Sequence, residues 1–416
     1  MSVLSLVILV VGCIVLVKLF RKRRARRTAS RSHANATAHV PTFRVVALGL
    51  QGSGKTLLLT SIYRRLQVPG DRGYYLRTPY EQLIELNRWY QETANTDTDW
   101  PRGTSRGEMR EFEFSLMTHL DDGPVTVFNL GYLEYPGELL TDPEAPGGTA
   151  QARLLESVST ADALIGIIDG LRVLQTYRGE QRGKVLLQTT LDAMVHTMLS
   201  ARAPLVFVIT KWDLLDQLHA DENVRLEIVR DLLMGVEGFR DLVRVHSARR
   251  VIRLIPVTAV GHDFAELNDG QVRKKPHGHF EPINVEAALS AVVPDILRQI
   301  ELSLDHATRQ AIMAETQRRM RMGPREAVRS LTAFVAERAG RALLAALGGG
   351  VLGDVGMALF LDSRTPPVDH TARLAALSEA DRRAEEFVQA RRRVMHTLEH
   401  QVTKLEASLP ASRLWG

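Results

Sequence analysis

Residues 49–56 read GLQGSGKT, which has the glycine and lysine spacing of a phosphate-binding loop. Such a loop works between a strand and a helix, because the amino terminus of the helix then faces the anion. Both contexts are present, since residues 43–48 (FRVVAL) form a buried-strand run and residues 55–66 (KTLLLTSIYRRL) have helical apolar spacing. The pattern therefore predicts a site for nucleotide phosphates, and a glycine-rich turn without a ligand is the alternative.

Each residue type in this loop has a chemical role. Glycines let backbone N–H groups approach phosphates closely. The Lys55 ammonium is expected to reach the β- and γ-phosphates, and the Thr56 hydroxyl to bind Mg²⁺. We also expect Lys55 to be exposed when the site is empty. The other predicted nucleotide contacts in the loop are Gly49, Gln51, Gly52, Ser53 and Gly54.

Residues 210–213 read TKWD and follow a second buried-strand run, PLVFVI, at 204–209. An aspartate at a strand end can accept hydrogen bonds from N1–H and the 2-amino group of guanine, and adenine offers neither donor in that geometry. We therefore predict that Asp213 selects guanine, that Lys211 lays its alkyl stem along the base, and that Thr210 belongs to the same site. The alternative is a solvated loop that carries a Lys–Asp pair.

These motifs together resemble a P-loop GTPase of the translation-factor-related (TRAFAC) superfamily, which also contains small GTPases, dynamins and septins. The GSGKT loop, the extended first half and the PGE sequence at 136–138 resemble bacterial double-GTPase-type proteins. The resemblance covers about residues 42–302. It implies a guanine-binding loop after the strand at 253–257 (RLIPV), where Thr258 and Ala259 match a Ser-Ala-Lys-like pattern and Val260 departs from it.

The resemblance also implies two switch segments that contact Mg²⁺ and the γ-phosphate. The family carries an aspartate that contacts the metal where this chain has Glu134, one methylene longer. Gly137 would donate its N–H to the γ-phosphate, and Glu138 stands where small GTPases orient water. A solvated or arginine-paired Glu138 is the alternative. For the switch threonine that binds the metal, Thr104 is preferred over Thr96 and Thr98, with a plain turn as the alternative.

The order of the predicted elements indicates an α/β fold. Strands alternate with helices, which predicts a mainly parallel sheet with helices on both faces. A hairpin turn at residues 121–124 (DDGP) joins the strand at 110–117 to the next strand and makes the sheet mixed. We predict further helices at 185–199, 224–233 and 284–302, a buried strand at 161–169, and a polar loop at 261–280.

The amino-terminal residues predict a membrane anchor. Residues 3–17 are apolar apart from Ser5, and extension to Phe20 gives a helix of about 30 Å. Basic residues follow directly at 21–27, whereas a cleaved signal peptide carries its charge before the apolar run. The positive-inside rule then predicts that residue 21 onward is cytoplasmic. A cleaved or interfacial segment is the alternative.

Composition limits the other partners. The formal charge of +5 is smaller than the seven basic residues between positions 21 and 31, so the rest of the chain is slightly acidic. This favours a membrane flank over a nucleic-acid surface, and we expect no nucleic-acid partner. Cys13 is the only cysteine, which excludes a disulfide within the chain and a cysteine-based metal site.

The sequence predicts four regions: a transmembrane anchor at 1–20, a basic and polar linker at 21–41, a GTPase domain at 42–302 and a helical C-terminal region at 303–416. In the C-terminal third of the chain, helices are predicted at 294–322, 324–347 and 370–409. Ala342–Leu361 is apolar but contains Asp354, which favours a buried helix–turn–helix over a membrane-dipping hairpin. An apolar stripe in the last helix predicts a packing face, with a coiled coil as the alternative: Val394, Leu398, Val402, Leu405 and Leu409.

We therefore predict a cytoplasmic GTPase, anchored to the cell membrane by a single span, that binds Mg²⁺ and GTP or GDP and recruits a protein partner at the membrane. Hydrolysis is expected to be slow, because the sequence has no obvious water-orienting glutamine or arginine finger. Three alternatives stay open. They are a non-hydrolysing GTP-binding scaffold, a dynamin-like membrane remodeller, and a P-loop ATPase, which disagrees with Asp213.

Overall fold

The computed structural model describes residues 42–103, 109–121, 123–134, 137, 148–199, 201–296 and 370–415. For 148–151, 370–385, 387 and 388 it describes the backbone alone. The chain divides into two compact units. One comprises Thr42–Ser303 with Ala390–Gly416, and the other comprises Met1–Pro41 with Leu304–Gln389. The first unit contains the sheet and the candidate site.

Ten strands and nine helices are named along the described residues. The strands are β1 (Thr42–Leu48), β2 (Tyr74–Arg77), β3 (Arg110–Leu120), β4 (Gly123–Glu134), β5 (Ala163–Asp169), β6 (Leu205–Thr210), β7 (Ile252–Pro256), β8 (Ala265–Asn268), β9 (Gln271–Lys274) and β10 (Arg413–Leu414). The α-helices are α1 (Lys55–Leu66), α2 (Tyr80–Ala94), α3 (Gly148–Ser159), α4 (Gly170–Tyr177), α5 (Gln181–Met198), α6 (Glu222–Met234), α7 (Glu237–Ser247), α8 (Val285–Ser290) and α9 (His370–Ser408).

An eight-stranded mixed sheet organises the fold, in the order β10–β7–β6–β5–β1–β4–β3–β2. The five strands from β7 to β4 run parallel, whereas β3, β2 and β10 join the two edges antiparallel. The predicted mainly parallel mixed sheet is confirmed, and the architecture is consistent with a P-loop GTPase fold. Strands β5 and β6 are buried along their whole length, as their continuous apolar runs predicted.

The P-loop helix has the predicted bounds, Lys55–Leu66. The predicted hairpin turn at 121–124 is also confirmed, because β3 pairs antiparallel with β4 from Leu120–Gly123 outward. Two segments differ from expectation. The segment between α1 and β3 contains β2 and α2, which the sequence analysis did not identify. The stretch at 261–280, predicted as a polar loop, contains the antiparallel hairpin of β8 and β9.

The single helix predicted over 284–302 is wrong in its described part. Helix α8 ends at Ser290, a turn occupies 291–292, and helical backbone returns at 293–296. Pro294 has no N–H group to donate to the carbonyl of Ser290, so the helical hydrogen bonding is interrupted there. Residues 297–302 lie outside the described part of the chain.

The end of the chain packs onto the sheet. The predicted apolar stripe of α9 is confirmed as a packing face, since Val394, Leu398 and Leu405 belong to the main hydrophobic core. Polar contacts reinforce this packing. Gln401 accepts hydrogen bonds from Tyr74 (3.0 Å) and Ser290 (2.6 Å).

Within the described residues, no helix has the length and apolar character required to cross a membrane. The predicted anchor at 1–20 and linker at 21–41 lie outside those residues. The same is true of the predicted helices at 324–347 and in Ala342–Leu361, and of the predicted helix at 294–322 beyond residue 296.

Candidate functional site

A cleft of about 510 Å³ lies at the carboxyl ends of the parallel strands. Its lining includes the P-loop after β1, the end of β4, the end of β5 and the segments that follow β6 and β7. Strand β1 lies between β4 and β5, so the chain leaves β1 at a point where the strand order reverses. Open α/β sheets bind ligands at such points.

The lysine of the P-loop (residues 49–56) is buried against the backbone of its own loop. Gly54 has a φ of 88°, a left-handed conformation that a side chain disfavours, and it leads directly into α1. Lys55 is only 7% exposed, so the expectation that it is exposed in the empty site is wrong. Its Nζ donates to the carbonyls of Gly49 (2.7 Å) and Leu50 (3.0 Å). A buried ammonium needs acceptors, and these carbonyls supply them.

Thr56 and Glu134 meet at one side of the loop. The Thr56 hydroxyl donates to Glu134 Oε1, although the two residues are 78 positions apart. Glu134 is 1% exposed, and its Oε2 has no hydrogen-bond partner among the described residues. Beside it, burial raises the pKa of the Tyr132 hydroxyl, and the Glu134 charge raises it further. A hydroxyl and a buried carboxylate oxygen at this position fit Mg²⁺, which prefers oxygen ligands.

Gly137 lies directly against the P-loop backbone. A Cβ at this position would stand 2.2 Å from the Gln51 nitrogen and 2.8 Å from the Gly49 oxygen, so only glycine fits there. The structure thus brings the predicted switch glycine to the phosphate loop. Glu138 and Thr104, the other predicted switch residues, lie outside the described residues.

The predicted base-recognition segment is tied to the same loop. Thr210 Oγ1 donates to the carbonyl of Ser53 (2.6 Å), and Lys211 Nζ donates to that of Gly52 (2.8 Å). Lys211 adopts a left-handed φ of 52° and also pairs with Asp169 at 2.9 Å. This ion pair holds the lysine stem at the mouth of the cleft, where its methylene groups are available to a flat ligand.

Asp213 follows β6 and lines the cleft. Its Oδ1 is buried and has no hydrogen-bond partner among the described residues. Burial raises the pKa of Asp213, and the Thr258 hydrogen bond partly opposes that shift. Next to it, the carbonyl of Ala259 accepts a hydrogen bond from Ser61 (2.7 Å), which fixes the loop onto α1. An unsatisfied buried acceptor is costly, and a donor from a bound ligand relieves that cost.

Sequence reasoning missed several lining residues. Asp169 caps α4 through the backbone N–H of Leu171 and holds Lys211. Its place at the end of a buried strand was an available signal, because strand ends converge at this edge. Trp100 and Gln271 also line the cleft. Trp100 lies between the candidate switch threonines Thr98 and Thr104, and Gln271 lies in the stretch predicted as a polar loop.

A scan against models of protein families finds no match to this chain, and a search of curated proteins also finds none. Solved structures that match include the "Signal recognition particle receptor SRb-GTP/SRX complex from Chaetomium thermophilum". That chain is 13% identical, with a TM-score of 0.30, and the match covers 53% of this chain and 92% of that one. This similarity is too low to indicate a function.

Proposed function

We propose that this chain binds Mg²⁺ and guanine nucleotides, hydrolyses GTP slowly, and acts as a switch that recruits a protein partner at a membrane. One observation carries the proposal. The P-loop, Glu134 and Asp213 line a single cleft, and each of these two carboxylates has a buried oxygen without a hydrogen-bond partner among the described residues, Glu134 Oε2 and Asp213 Oδ1. The first suits a metal ion beside the phosphates, and the second suits the donors of guanine.

The roles of the residues follow from their positions. The P-loop amides would bind the phosphates, and Lys55 would exchange its carbonyl partners for phosphate oxygens. Thr56 and Glu134 would hold Mg²⁺, which neutralises charge on the phosphates when bound. Asp213 would accept from the guanine edge, while Thr258 and Ala259 would line the base loop.

The switch would act through Gly137. Its backbone lies against the P-loop at Gln51, and its N–H would be the donor to a γ-phosphate in the loop. Loss of that hydrogen bond on hydrolysis would release the segment. Glu138, which follows it in the sequence, would polarise the attacking water. Slow turnover is expected because no motif of the sequence identifies an arginine finger or a water-orienting glutamine.

Membrane anchoring and partner recruitment belong to the same proposal. The apolar run at 3–17 and the basic residues at 21–27 support a single span with the nucleotide site on the cytoplasmic side. Residues 1–27 contain no nucleotide-contacting motif. Their deletion should therefore give a soluble protein with unchanged GTP affinity, and loss of GTP binding in that protein would make the segment part of the fold.

A competition experiment tests the nucleotide proposal. A fluorescent GDP analogue is bound to the full-length protein in detergent with Mg²⁺, and GTP, GDP and ATP are titrated as competitors. We expect displacement by GTP and GDP and little displacement by ATP. Equal displacement by ATP would support a P-loop ATPase instead. Single-turnover release of inorganic phosphate then separates a slow GTPase from a scaffold that binds without turnover.

A further inference from the structure

The hairpin of β8 and β9 has a small hydrophobic core of its own. The buried side chains of Val260, Phe264 and Ala265 form this core, and Val272 and Phe280 pack against it. Trp100 joins the same cluster, although it comes from the segment after α2. Its ring centroid lies 6.1 Å from that of Phe264, in a tilted arrangement. The hairpin thus has a fixed aromatic neighbour from a distant part of the chain.

Polar contacts hold Trp100 in one orientation. Its Nε1 donates to the carbonyl of Val272 (2.8 Å). Lys274 Nζ lies 5.0 Å from the centroid of the Trp100 ring and donates to the carbonyls of Asn95 (2.9 Å), Asp99 (3.3 Å) and Glu92. A cation is favourable at this place, because these carbonyls lie at and beyond the C-terminus of α2. Burial lowers the pKa of Lys274, in keeping with an enclosed ammonium.

Trp100, Gln271 and Val272 line the same cleft as Lys211 and Asp213. Val260, which directly follows the predicted base loop, belongs both to the cleft lining and to the hairpin core. The hairpin core therefore adjoins the part of the cleft that Lys211 and Asp213 line, which is the proposed nucleoside end. The Trp100 indole is held at its Nε1 edge, Lys274 lies over its ring, and the partly exposed side chain lines the cleft.

We propose, on the basis of the proposed guanine-nucleotide function, that Trp100 and the β8–β9 hairpin form a wall that contacts the nucleoside of the bound nucleotide. Trp100 is the stacking residue of this wall, and Lys274 is a positioning residue that holds the indole in place. Stacking on an aromatic ring recognises the π-face that every base has, so it adds affinity without choosing the base. GTP and GDP carry the same nucleoside and gain equally.

Variants of the wall and variants of the other nucleotide contacts should therefore change the affinities for GTP, GDP and ATP in different ways. Trp100→Ala should weaken GTP and GDP by the same factor, roughly tenfold or more, because one base–aromatic contact is lost. The preference for GTP over ATP should not change, since Asp213 sets it. A variant of a metal or γ-phosphate contact would instead change the ratio of GTP to GDP affinity.

The test measures GTP, GDP and ATP affinities of the full-length wild type and of Trp100→Ala, Trp100→Phe, Lys274→Met and Lys274→Arg. Trp415→Phe is the matched control, because Trp415 is 65% exposed and is not among the residues that line the cleft. We expect Trp100→Phe and Lys274→Arg to retain most of the affinity, and Lys274→Met to lose part of it. Thermal unfolding of each nucleotide-free variant checks its fold. If Trp100→Ala does not fold, the two Lys274 variants and Trp100→Phe still decide the outcome.

Intrinsic fluorescence gives a second measurement. The chain has four tryptophans. Nucleotide binding should change the tryptophan fluorescence of the wild type and of Trp415→Phe. The change should be clearly smaller in Trp100→Phe. Unchanged GDP affinity in folded Trp100→Ala, or equal affinities in Lys274→Met and wild type, would overturn this inference and leave the proposed function intact. A wild type that binds neither GTP nor GDP would overturn the proposed function and the inference together.

Discussion

Replacement of Glu134 by glutamine should stabilise the nucleotide-free protein against unfolding and weaken its binding of Mg–GTP. The nucleotide-free protein keeps a buried carboxylate whose Oε2 has no partner among the described residues, and this desolvation disfavours the folded state. A neutral amide of the same shape reduces the penalty and can still accept from Thr56. We expect Glu134→Gln to raise the free energy of unfolding of the nucleotide-free protein by about 1 kcal/mol. Its melting temperature should rise by about 2 °C.

In the presence of Mg–GTP, the wild type should instead be more stable than Glu134→Gln. Removal of a carboxylate close to a metal ion typically costs about 10–100-fold in metal affinity. At a concentration of Mg–GTP that is about 100 times the wild-type Kd, binding stabilises the wild type by about 2.7 kcal/mol. A variant with 10–100-fold weaker binding gains only about 0.4–1.4 kcal/mol under the same conditions. The wild type should then melt at the higher temperature.

Thermal unfolding with and without Mg–GTP, followed by fluorescence or calorimetry, measures both effects. A repeat with GTP and a chelator should remove most of the difference in nucleotide-dependent stabilisation between the two proteins. Glu113→Gln is the control, because it removes the same charge from an exposed position on β3. A variant that is less stable than wild type without nucleotide, and that keeps full Mg–GTP affinity, would refute the assignment of Glu134 to the metal.

Three further predictions concern single side chains. Lys55→Met should abolish detectable GTP binding and leave a folded protein, as measured by calorimetric titration and circular dichroism; retained affinity would remove Lys55 from the phosphate site. GTP affinity should fall on acidification at a pH above the ordinary aspartate range, because burial raises the pKa of Asp213 and only its carboxylate accepts both guanine donors; a pH-independent affinity down to the ordinary range would contradict this. Burial opposes ionisation of Glu406, but hydrogen bonds from Arg413 and Arg253 outweigh this effect and lower its pKa. The stability that the ionised carboxylate adds is therefore fully present above the ordinary glutamate pKa. It is lost as the pH falls through the lowered pKa. Glu406→Gln should therefore lower the free energy of unfolding by about 2 kcal/mol at pH 7 in urea titrations and by less in acid, and a difference that grows in acid would refute the pairing.

The P-loop and its flanking elements could be predicted almost to the residue. Helix α1 begins and ends where its apolar spacing indicated, because the motif itself marks the end of β1 and the start of the helix. The state of Lys55 could not be predicted in the same way. The motif describes contacts with phosphate, whereas in the structure Lys55 donates to the carbonyls of its own loop, those of Gly49 and Leu50.

The β8–β9 hairpin could have been predicted and was not. Asp269 and Gly270 both have positive φ angles, which is the turn that an Asp-Gly pair favours between two strands. The surrounding polar residues suggested a loop because these strands form a separate two-stranded sheet, and half of their residues face solvent. The contribution of Trp100 to this hairpin depends on tertiary contact alone, and no local pattern could indicate it.

Recognition of guanine by Asp213 is the central claim, and its most direct test exchanges one hydrogen-bonding group. Asp213→Asn replaces an acceptor by an amide donor, so GTP affinity should fall by roughly 100-fold or more. Xanthosine triphosphate, whose base carries an acceptor where guanine carries its 2-amino donor, should become the preferred nucleotide. Asp263→Asn, an exposed change of the same kind, should leave both affinities at the wild-type values. Unchanged GTP affinity in Asp213→Asn would contradict the account.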